Sequence, residues 1–208
     1  PHPNFLVTSR HDSTRVSIIT GGTQTLQRAG LNAMVLTYND GVKIEFEPSE
    51  FTINSKSWAI DETGELIFRS RSPASGKLVL SEGDQRIVLR TQPGTGNTND
   101  LQIELTRVNM GDFAPYVMPR NRLEGLISGN ILVKDPTGDM NIKSDDLQTE
   151  FLRLDNDSLG QVKASLEYDK LSKTLRFKGN TLNEINSLIF DGLVFVGDKE
   201  KAKDNEIH

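Results

Sequence analysis

The sequence contains no cysteine, and its three histidines, His2, His11 and His208, all lie near the two ends of the chain. Without cysteine the protein has no disulfide framework, no thiol nucleophile and no thiolate metal site. The positions of the histidines argue against a Ser-His-Asp triad or a histidine metal site inside the fold. We therefore expect a protein that is not an enzyme and that uses neither a metal nor a cofactor.

Aromatic residues are also few, with one tryptophan, three tyrosines and nine phenylalanines among 208 residues. This scarcity counts against the stacking platforms of lectins and glycosidases, although paired carboxylates on distant strands leave hydrolysis open as a remote alternative. It also counts against a compact sandwich with heavy aromatic anchors. The formal net charge of -5 and the pI of about 5.3 provide no basic surface for nucleic acid.

Long apolar stretches are missing as well. No stretch approaches the ~18 consecutive apolar residues of a membrane-spanning helix, and "PHPNFLVTSR" at the N-terminus lacks the apolar core of a signal peptide. The sequence begins at a proline and ends in the charged run "GDKEKAKDNEIH". We therefore expect a soluble segment of a longer protein, with residues 199–208 as a disordered tail.

Alternation of apolar and polar residues with a period of two is the dominant pattern. In "GVKIEFEP" the apolar residues Val42, Ile44 and Phe46 fall on one face, and "DLQIELTR", "QVKASLEYD" and "TLRFKG" repeat the pattern. Strands with one apolar and one polar face are typical of antiparallel sheets. Turn sequences such as "NDG", "EGD" and "DPTGD" separate the strands, so the sequence predicts an all-β chain. The uniform aliphatic faces favour a long curved sheet over a compact barrel.

One short helical element is predicted at residues 111–118, because Pro115 and Pro119 limit its length to about two turns. Two interpretations of this element stay open. It is either an ordinary crossover or a small plug that packs over the apolar face of the sheet. The residues of such a plug would be Phe113, Tyr116, Val117 and Met118.

Two glycines follow the helical element in "RLEGLISGNILVKD", at positions 125 and 129. Glycine inside a strand often marks a bulge or a place where another backbone segment comes close. We expect Gly125 and Gly129 to have this role where the chain re-enters the sheet.

The loops carry no recognisable site. "PGTGNTND" and "TGGTQT" lack the Lys-Ser/Thr pair of a phosphate-binding loop. "DNDSLG" starts like a calcium loop at Asp155, but Leu166 stands where a bidentate glutamate is required. We interpret these segments as turns. The single tryptophan, Trp58, is interpreted as a core residue before a tight turn rather than as a ligand platform.

Three motifs follow one another between residues 50 and 180, namely "SWAIDETGELIF", "RLEGLISGN" and "LGQVKASLEYD". In this order they resemble the TamB family, part of the AsmA-like group of envelope proteins, in the form found in the Bacteroidetes. The residues that carry the resemblance are Trp58, Ile60, Asp61, Gly64, Ile67, Leu123, Gly125, Gly129, Leu159, Gly160, Val162, Ala164, Tyr168 and Asp169.

The resemblance implies an all-β fold, an elongated and curved antiparallel sheet (a β-taco with a U-shaped apolar groove) that has at most short helical turns. Residues 51–198 would form the TamB/AsmA-like segment, and residues 1–50 a β-strand region of the same sheet. The full-length protein would be anchored in the bacterial inner membrane and span the periplasm. It would work in outer-membrane biogenesis and protein secretion with an outer-membrane β-barrel partner of the Omp85 type.

The same resemblance implies that the groove carries phospholipid acyl chains between the two membranes. Each buried CH2 group contributes about 0.8 kcal/mol, so acyl chains need no specific polar contact. The candidate lining is Val42, Ile44, Phe46, Leu101, Ile103, Leu105, Ile131, Val133, Val162, Ala164, Leu166, Leu175 and Phe177.

An alternative stays open, in which the chain is a structural β-module that binds no lipid. Its edge strands would then pair with a partner, such as a nascent outer-membrane strand. An open apolar groove favours lipid carriage, whereas a cleanly filled core favours the structural module.

Overall fold

A computed structural model of the 208-residue chain describes residues 4–21, 26–61, 63–71, 74–94, 99–117, 122–182, 188–196 and 206–207. About three quarters of these residues (76%) lie in antiparallel β-strands, and α1 (Met110–Val117) is the only helix among them. The predicted class, an all-β chain of antiparallel strands with at most short helical turns, is confirmed. The chain forms two compact units, unit 1 (Pro1–Gln102) and unit 2 (Ile103–His208).

Unit 1 has a branched strand order. Its strands are β1 (Asn4–Arg10), β2 (Ser13–Gly21), β3 (Leu26–Tyr38), β4 (Gly41–Phe46), β5 (Ser49–Ile53), β6 (Lys56–Ile60), β7 (Glu65–Arg69), β8 (Gly76–Glu82) and β9 (Gln85–Pro93). They pair in the order β1-β2-β3-β5-β6-β8-β9, while β4 pairs with β3 and with β7. The branch starts at β3, because the second half of this long strand pairs with β4 and its first half with β5.

The core of unit 1 joins the two branches. Leu66 of β7 packs against Ile60 of β6 and Leu78 of β8, and the three side chains are 8%, 6% and 5% exposed. Trp58 on β6 is fully buried, so its interpretation as a core residue is confirmed. Apolar side chains from both branches therefore meet in a filled interior.

Buried polar side chains connect β7 to the strands beside it. The Thr91 hydroxyl accepts hydrogen bonds from the backbone N–H of Ile67 at 3.0 Å and of Gly76 at 3.1 Å. The Asn99 side-chain oxygen accepts another from the N–H of Arg69 at 2.8 Å. Since an unpaired buried N–H is costly, these bonds stabilise β7 on the edge opposite β4, which is its one ladder partner among the described strands.

Unit 2 has a simpler order, because its strands pair in the order in which they occur in the chain. Asn109 caps α1, since its side-chain oxygen accepts a hydrogen bond from Gly111 N–H at 2.9 Å. The predicted helical element is thus confirmed. The strands are β10 (Asn99–Asn109), which begins in unit 1, and β11 (Leu123–Lys134), β12 (Asn141–Leu154), β13 (Asp157–Asp169), β14 (Thr174–Thr181), β15 (Ile189–Phe195) and β16 (Glu206–Ile207).

Some strand bounds differ from those that the sequence pattern indicated. The run "FLRLD" predicts a short strand at 151–155, whereas β12 begins at Asn141. The sequence pattern predicts no strand at 56–60, where β6 lies. The run "SLIFDGLVFVG" predicts a strand at 187–197, whereas β15 is shorter, at Ile189–Phe195. Of the tail predicted to be disordered, only Glu206–Ile207 is described, and it forms β16. The other residues of the tail lie outside the described part.

Candidate functional site

One face of the sheet in unit 2 is apolar across five strands. In an antiparallel ladder, directly opposite residues project their side chains to the same side. Leu166 of β13 lies opposite Ser144 on one neighbour and Phe177 on the other, and Phe177 in turn lies opposite Gly192. The apolar face of unit 2, defined by these registers, comprises Ile127, Val133, Ile142, Leu147, Leu152, Val162, Ala164, Leu166, Tyr168, Leu175, Phe177, Phe190 and Val194.

The apolar face of unit 2 is only partly buried. Val133, Leu147 and Val162 are buried, at 7%, 7% and 3% exposure, while the other members are half-buried. The core of unit 1 differs, because the side chains at its centre are all buried. The apolar face of unit 2 therefore keeps apolar area that an occupant can cover.

The polar side chains on this face form hydrogen bonds with backbone atoms. The Ser144 hydroxyl donates to the carbonyl oxygen of Asn130. The Thr149 hydroxyl accepts from Val162 N–H at 3.0 Å, and the Thr181 hydroxyl accepts from Leu188 N–H at 2.9 Å. These three groups therefore add little polarity to the face.

The candidate lining residues fall into two sets. In unit 2, the registers place Val133, Val162, Ala164, Leu166, Leu175 and Phe177 on the apolar face. Ile131 lies two residues before Val133, next to a bulge, and Ile103 and Leu105 are half-buried in β10.

The remaining candidates belong to unit 1 and have a different environment. Val42 lies opposite Phe68, and Ile44 lies opposite Leu66. Phe46 and Leu101 are partly buried and pack against the core of unit 1. Phe46 and Leu101 therefore contribute to the core of unit 1, whereas Val42 and Ile44 are half-buried beside it.

Sequence reasoning missed the contribution of β12 to the apolar face. Ile142, Leu147 and Leu152 belong to it, but they are spaced five residues apart. Register shifts between Ser144 and Leu147, and between Thr149 and Leu152, insert extra residues into β12 and break the two-residue period. No period within β12 alone identifies these positions, because the bulges are defined by the pairing of β12 with β13.

The two glycines of β11 lie where its register with β12 shifts. Shifts occur between Gly125 and Ile127, and between Ser128 and Leu132. A Cβ atom at Gly125 would lie 2.5 Å from the carbonyl oxygen of Phe151. Gly129 has φ of +140°, and a Cβ there would lie 2.7 Å from the carbonyl oxygen of Asp146. The predicted bulge and close backbone approach are confirmed.

The interpretation of α1 as a plug over the apolar face stays a prediction. The side chains of 114–117, and Met118, lie outside the described part.

Asp146 connects the irregular parts of β11 and β12. Its carboxylate accepts hydrogen bonds from Asn130 N–H at 2.9 Å and from the Asn130 side-chain amide at 2.7 Å. The side-chain bond from Asn130, followed by the backbone bond, lowers the pKa of Asp146. The ionised carboxylate is therefore the form that the folded protein favours.

We expect Asp146→Asn to destabilise the protein by about 1 kcal/mol or less at neutral pH, because the carboxylate is exposed and its hydrogen bonds compete with water. A pKa lowered by folding stabilises the protein above the ordinary aspartate pKa, and this contribution disappears as the pH falls through the folded-state value. The difference between the variant and the parent should thus shrink below about pH 4. Urea unfolding at pH 7 and pH 3 measures this, and an equal difference at both values would contradict it.

A cavity of about 890 Å³ opens across β11–β15, but it is not the predicted groove. Its lining includes Lys163, Lys178 and Asn180, which alternate with the residues of the apolar face. Of the predicted lining, only Ala164 contributes to it. Lys178 and Asp191 in this lining form an ion pair at 2.9 Å, and Leu147, Ile189 and Phe190 also line the cavity, so charged and apolar residues lie side by side in it.

The described residues contain neither a candidate metal cluster nor a helix suited to cross a membrane. No group of three or more His, Asp or Glu side chains among them is arranged to hold a metal ion. None of their helices is long and apolar enough to cross a membrane.

Comparison with known proteins gives no relative for this chain. No protein-family model matches it, and neither a curated protein nor a solved structure is significantly similar to it.

Proposed function

We propose that the apolar face of unit 2 binds the acyl chains of phospholipids. The observation that carries the proposal is the half-buried state of this face across β11–β15. Apolar surface left in water costs about 25 cal/mol per Å², so an apolar occupant of the face is favoured. Acyl chains suit this face because their binding depends on buried apolar area and not on specific polar partners.

The shape of the side chains supports a ligand without fixed orientation. Along β13 the face presents Val162, Ala164 and Leu166, which are aliphatic and of small to medium size. The hydroxyl groups of Ser144 and Thr149 are already hydrogen-bonded to backbone atoms. A ligand recognised by hydrogen bonds would thus find few partners here, whereas an acyl chain loses nothing by their absence.

The wider setting of the proposal comes from the resemblance to the TamB family alone. In that setting the chain is a segment of a periplasmic protein, anchored in the inner membrane, that carries phospholipid toward the outer membrane. Its partner there is an outer-membrane barrel of the Omp85 type. The proposal assigns binding and carriage to the chain and no catalytic step.

The structural alternative has support of its own in unit 1. Its branches enclose Ile60, Leu66 and Leu78, and the candidate residues Phe46 and Leu101 pack against them. A filled core of this kind favours the structural module. We therefore assign the lipid-binding role to unit 2 and a structural role to unit 1.

Lipid binding is tested by purifying the 208-residue protein from a bacterial lysate without detergent and measuring bound phospholipid by native mass spectrometry. We expect bound phospholipid in the parent and a loss of at least about tenfold in Leu166→Glu, because a carboxylate on the apolar face opposes acyl chains. Ser165→Glu is the matched control, since Ser165 is the neighbouring residue and faces the opposite side with Lys178. It should retain the lipid.

Circular dichroism of both variants verifies that the fold is retained. A folded parent that carries no lipid, and that binds none from added phosphatidylethanolamine vesicles, would overturn the proposal and leave the structural module.

A further inference from the structure

The cavity of about 890 Å³ in unit 2 lies on the polar side of the sheet, opposite the apolar face. Residues that are directly opposite each other, or two apart on one strand, direct their side chains to the same side. The lining contains two such rows. The first is Gln148, Lys163, Asn180 and Ile189, and the second is Ser165, Lys178 and Asp191. The residues between the rows direct their side chains to the other side, so they contribute backbone to the floor of the cavity.

Each carboxylate in the lining is already held by another group of the protein. Asp145 forms an ion pair with Lys143 at 2.9 Å. Asp146 accepts two hydrogen bonds from Asn130. The third, Asp191, pairs with the lysine of the second row. The acids of the lining therefore have protein partners already, which disfavours a cationic ligand.

Lys163, at the centre of the first row, has no acidic residue directly opposite. It lies opposite Gln148 on β12 and Asn180 on β14, so both of its cross-strand neighbours carry amides. A directly opposite acid is the stabilising partner that a lysine has in other sheets. Within the described part of the chain, the side chains of Gln148, Lys163 and Ser165 form no hydrogen bond or ion pair. Their ammonium, amide and hydroxyl groups supply hydrogen-bond donors to the cavity.

Lys178 brings a second ammonium group next to Lys163. It lies in the second row, directly opposite Ser165. Its ion pair with Asp191 is exposed, since the two side chains are 67% and 51% exposed. Exposed ion pairs contribute little free energy, so an anion in the cavity can take the place of the carboxylate.

We propose that this cavity binds the phosphate group of a small phosphate monoester. The ammonium groups of Lys163 and Lys178 contact the phosphate oxygens, and Gln148 and Ser165 donate hydrogen bonds to them. A phosphate monoester carries a charge of about -1.5 to -2 and three acceptor oxygens, which matches two ammonium groups among neutral donors. The cavity volume lies within the usual range for small-molecule sites. The site does not depend on lipid binding, because acyl chains would use the opposite side of the sheet.

The test is a titration of the ¹⁵N-labelled 208-residue protein with glycerol 3-phosphate at constant ionic strength, followed by the NMR shifts of backbone amides. We expect saturable shifts at residues 163–165 and 178–180, which line the cavity. Lys163→Gln should weaken binding about fivefold, because it removes one of the two charges that hold the phosphate. Asp191→Asn should strengthen binding about twofold, because it frees Lys178 from a competing carboxylate.

Two controls separate a site from a general attraction of anions. Lys173→Gln changes the net charge by the same amount as Lys163→Gln, but in the turn between β13 and β14 and outside the cavity lining. Because salt screens charges at a distance, it should change the affinity by less than about 1.5-fold. Dimethyl phosphate is a singly charged diester, like the phosphate of a lipid headgroup, and should bind about fivefold more weakly than the monoester.

Circular dichroism verifies the fold of the variants. Shifts that do not saturate, or an equal loss of affinity in Lys163→Gln and Lys173→Gln, would overturn the proposal. Dimethyl phosphate that binds as tightly as glycerol 3-phosphate would overturn the assignment to a monoester.

Discussion

Replacement of Trp58 by alanine is expected to lower the free energy of unfolding by about 3–5 kcal/mol, the usual cost of removing a large aromatic residue from a core. Trp58 is 0% exposed, and it lies directly opposite Phe51 on β5. Their ring centroids are 6.2 Å apart and the ring planes differ by 4°, so the two rings are stacked. Alanine would leave a void that the surrounding sheet cannot fill without moving β5 or β6.

Urea unfolding followed by far-UV circular dichroism measures this change. Fluorescence is unsuitable, because Trp58 is the only tryptophan and the variant loses the signal. Leu171→Ala is the control, since Leu171 is 75% exposed and its truncation should change stability by no more than about 0.5 kcal/mol. The comparison requires an unchanged slope of free energy against urea. A loss below about 1 kcal/mol for Trp58→Ala would contradict the packing described for β5 and β6.

The class of the fold was predictable because the period of two reports directly on strands. Along β13 and β14 the alternation is unbroken, and the structure pairs Leu166 with Phe177 and Tyr168 with Leu175 on one face. This alternation is a relation between neighbouring residues of one strand, so it can be recognised in the sequence alone. Trp58 was predictable for a related reason, since a large indole is more often buried than used as a platform.

The bulges of β12 were not predictable from the same pattern. Phe151 appears in the sequence as an apolar residue of a short alternating strand, yet it is 45% exposed and Leu152 lies on the apolar face instead. The inserted residues become visible only when β12 is aligned with β13. A pattern within one strand cannot report a register that two strands define together.

The branched strand order of unit 1 was not predictable from the sequence, for a different reason. Val42, Ile44 and Phe46 show the same alternation as the residues of β13, so sequence alone gave both groups the same role. Whether an apolar face is covered depends on contacts between residues distant in the chain, such as Leu66 with Leu78. The distinction between a filled core and an accessible face is therefore a property of the tertiary structure.

Replacement of Gly129 by alanine is the second change with a large expected effect, about 2–6 kcal/mol in the free energy of unfolding. Two costs combine there. A φ of +140° is strained for any residue with a Cβ, which costs about 1–3 kcal/mol. The new Cβ would also lie 2.7 Å from Asp146 O and 3.0 Å from Leu147 Cα, and crowding of this kind costs about 1–3 kcal/mol more.

Two other glycines separate these costs. Gly160 has φ of +77° and nothing within 4 Å of a built Cβ, so Gly160→Ala measures the backbone cost alone, about 1–2 kcal/mol. Gly125 is outside the positive-φ region, but its Cβ would lie 2.5 Å from Phe151 O, so Gly125→Ala measures crowding alone, about 1–3 kcal/mol. Urea unfolding of the three variants should give Gly129→Ala the largest loss, close to the sum of the other two.

The reason to expect a sum is that the crowding atoms at Gly129 belong to the backbone of β12. Side chains can rotate away from a new methyl group, but Asp146 O and Leu147 Cα move only if the bulge itself rearranges. Asn130 holds that bulge through two hydrogen bonds to Asp146. A loss at Gly129 no greater than that at Gly160 would mean that β11 and β12 do not approach as closely as described. The register of the apolar face on these two strands would then have to be reassigned.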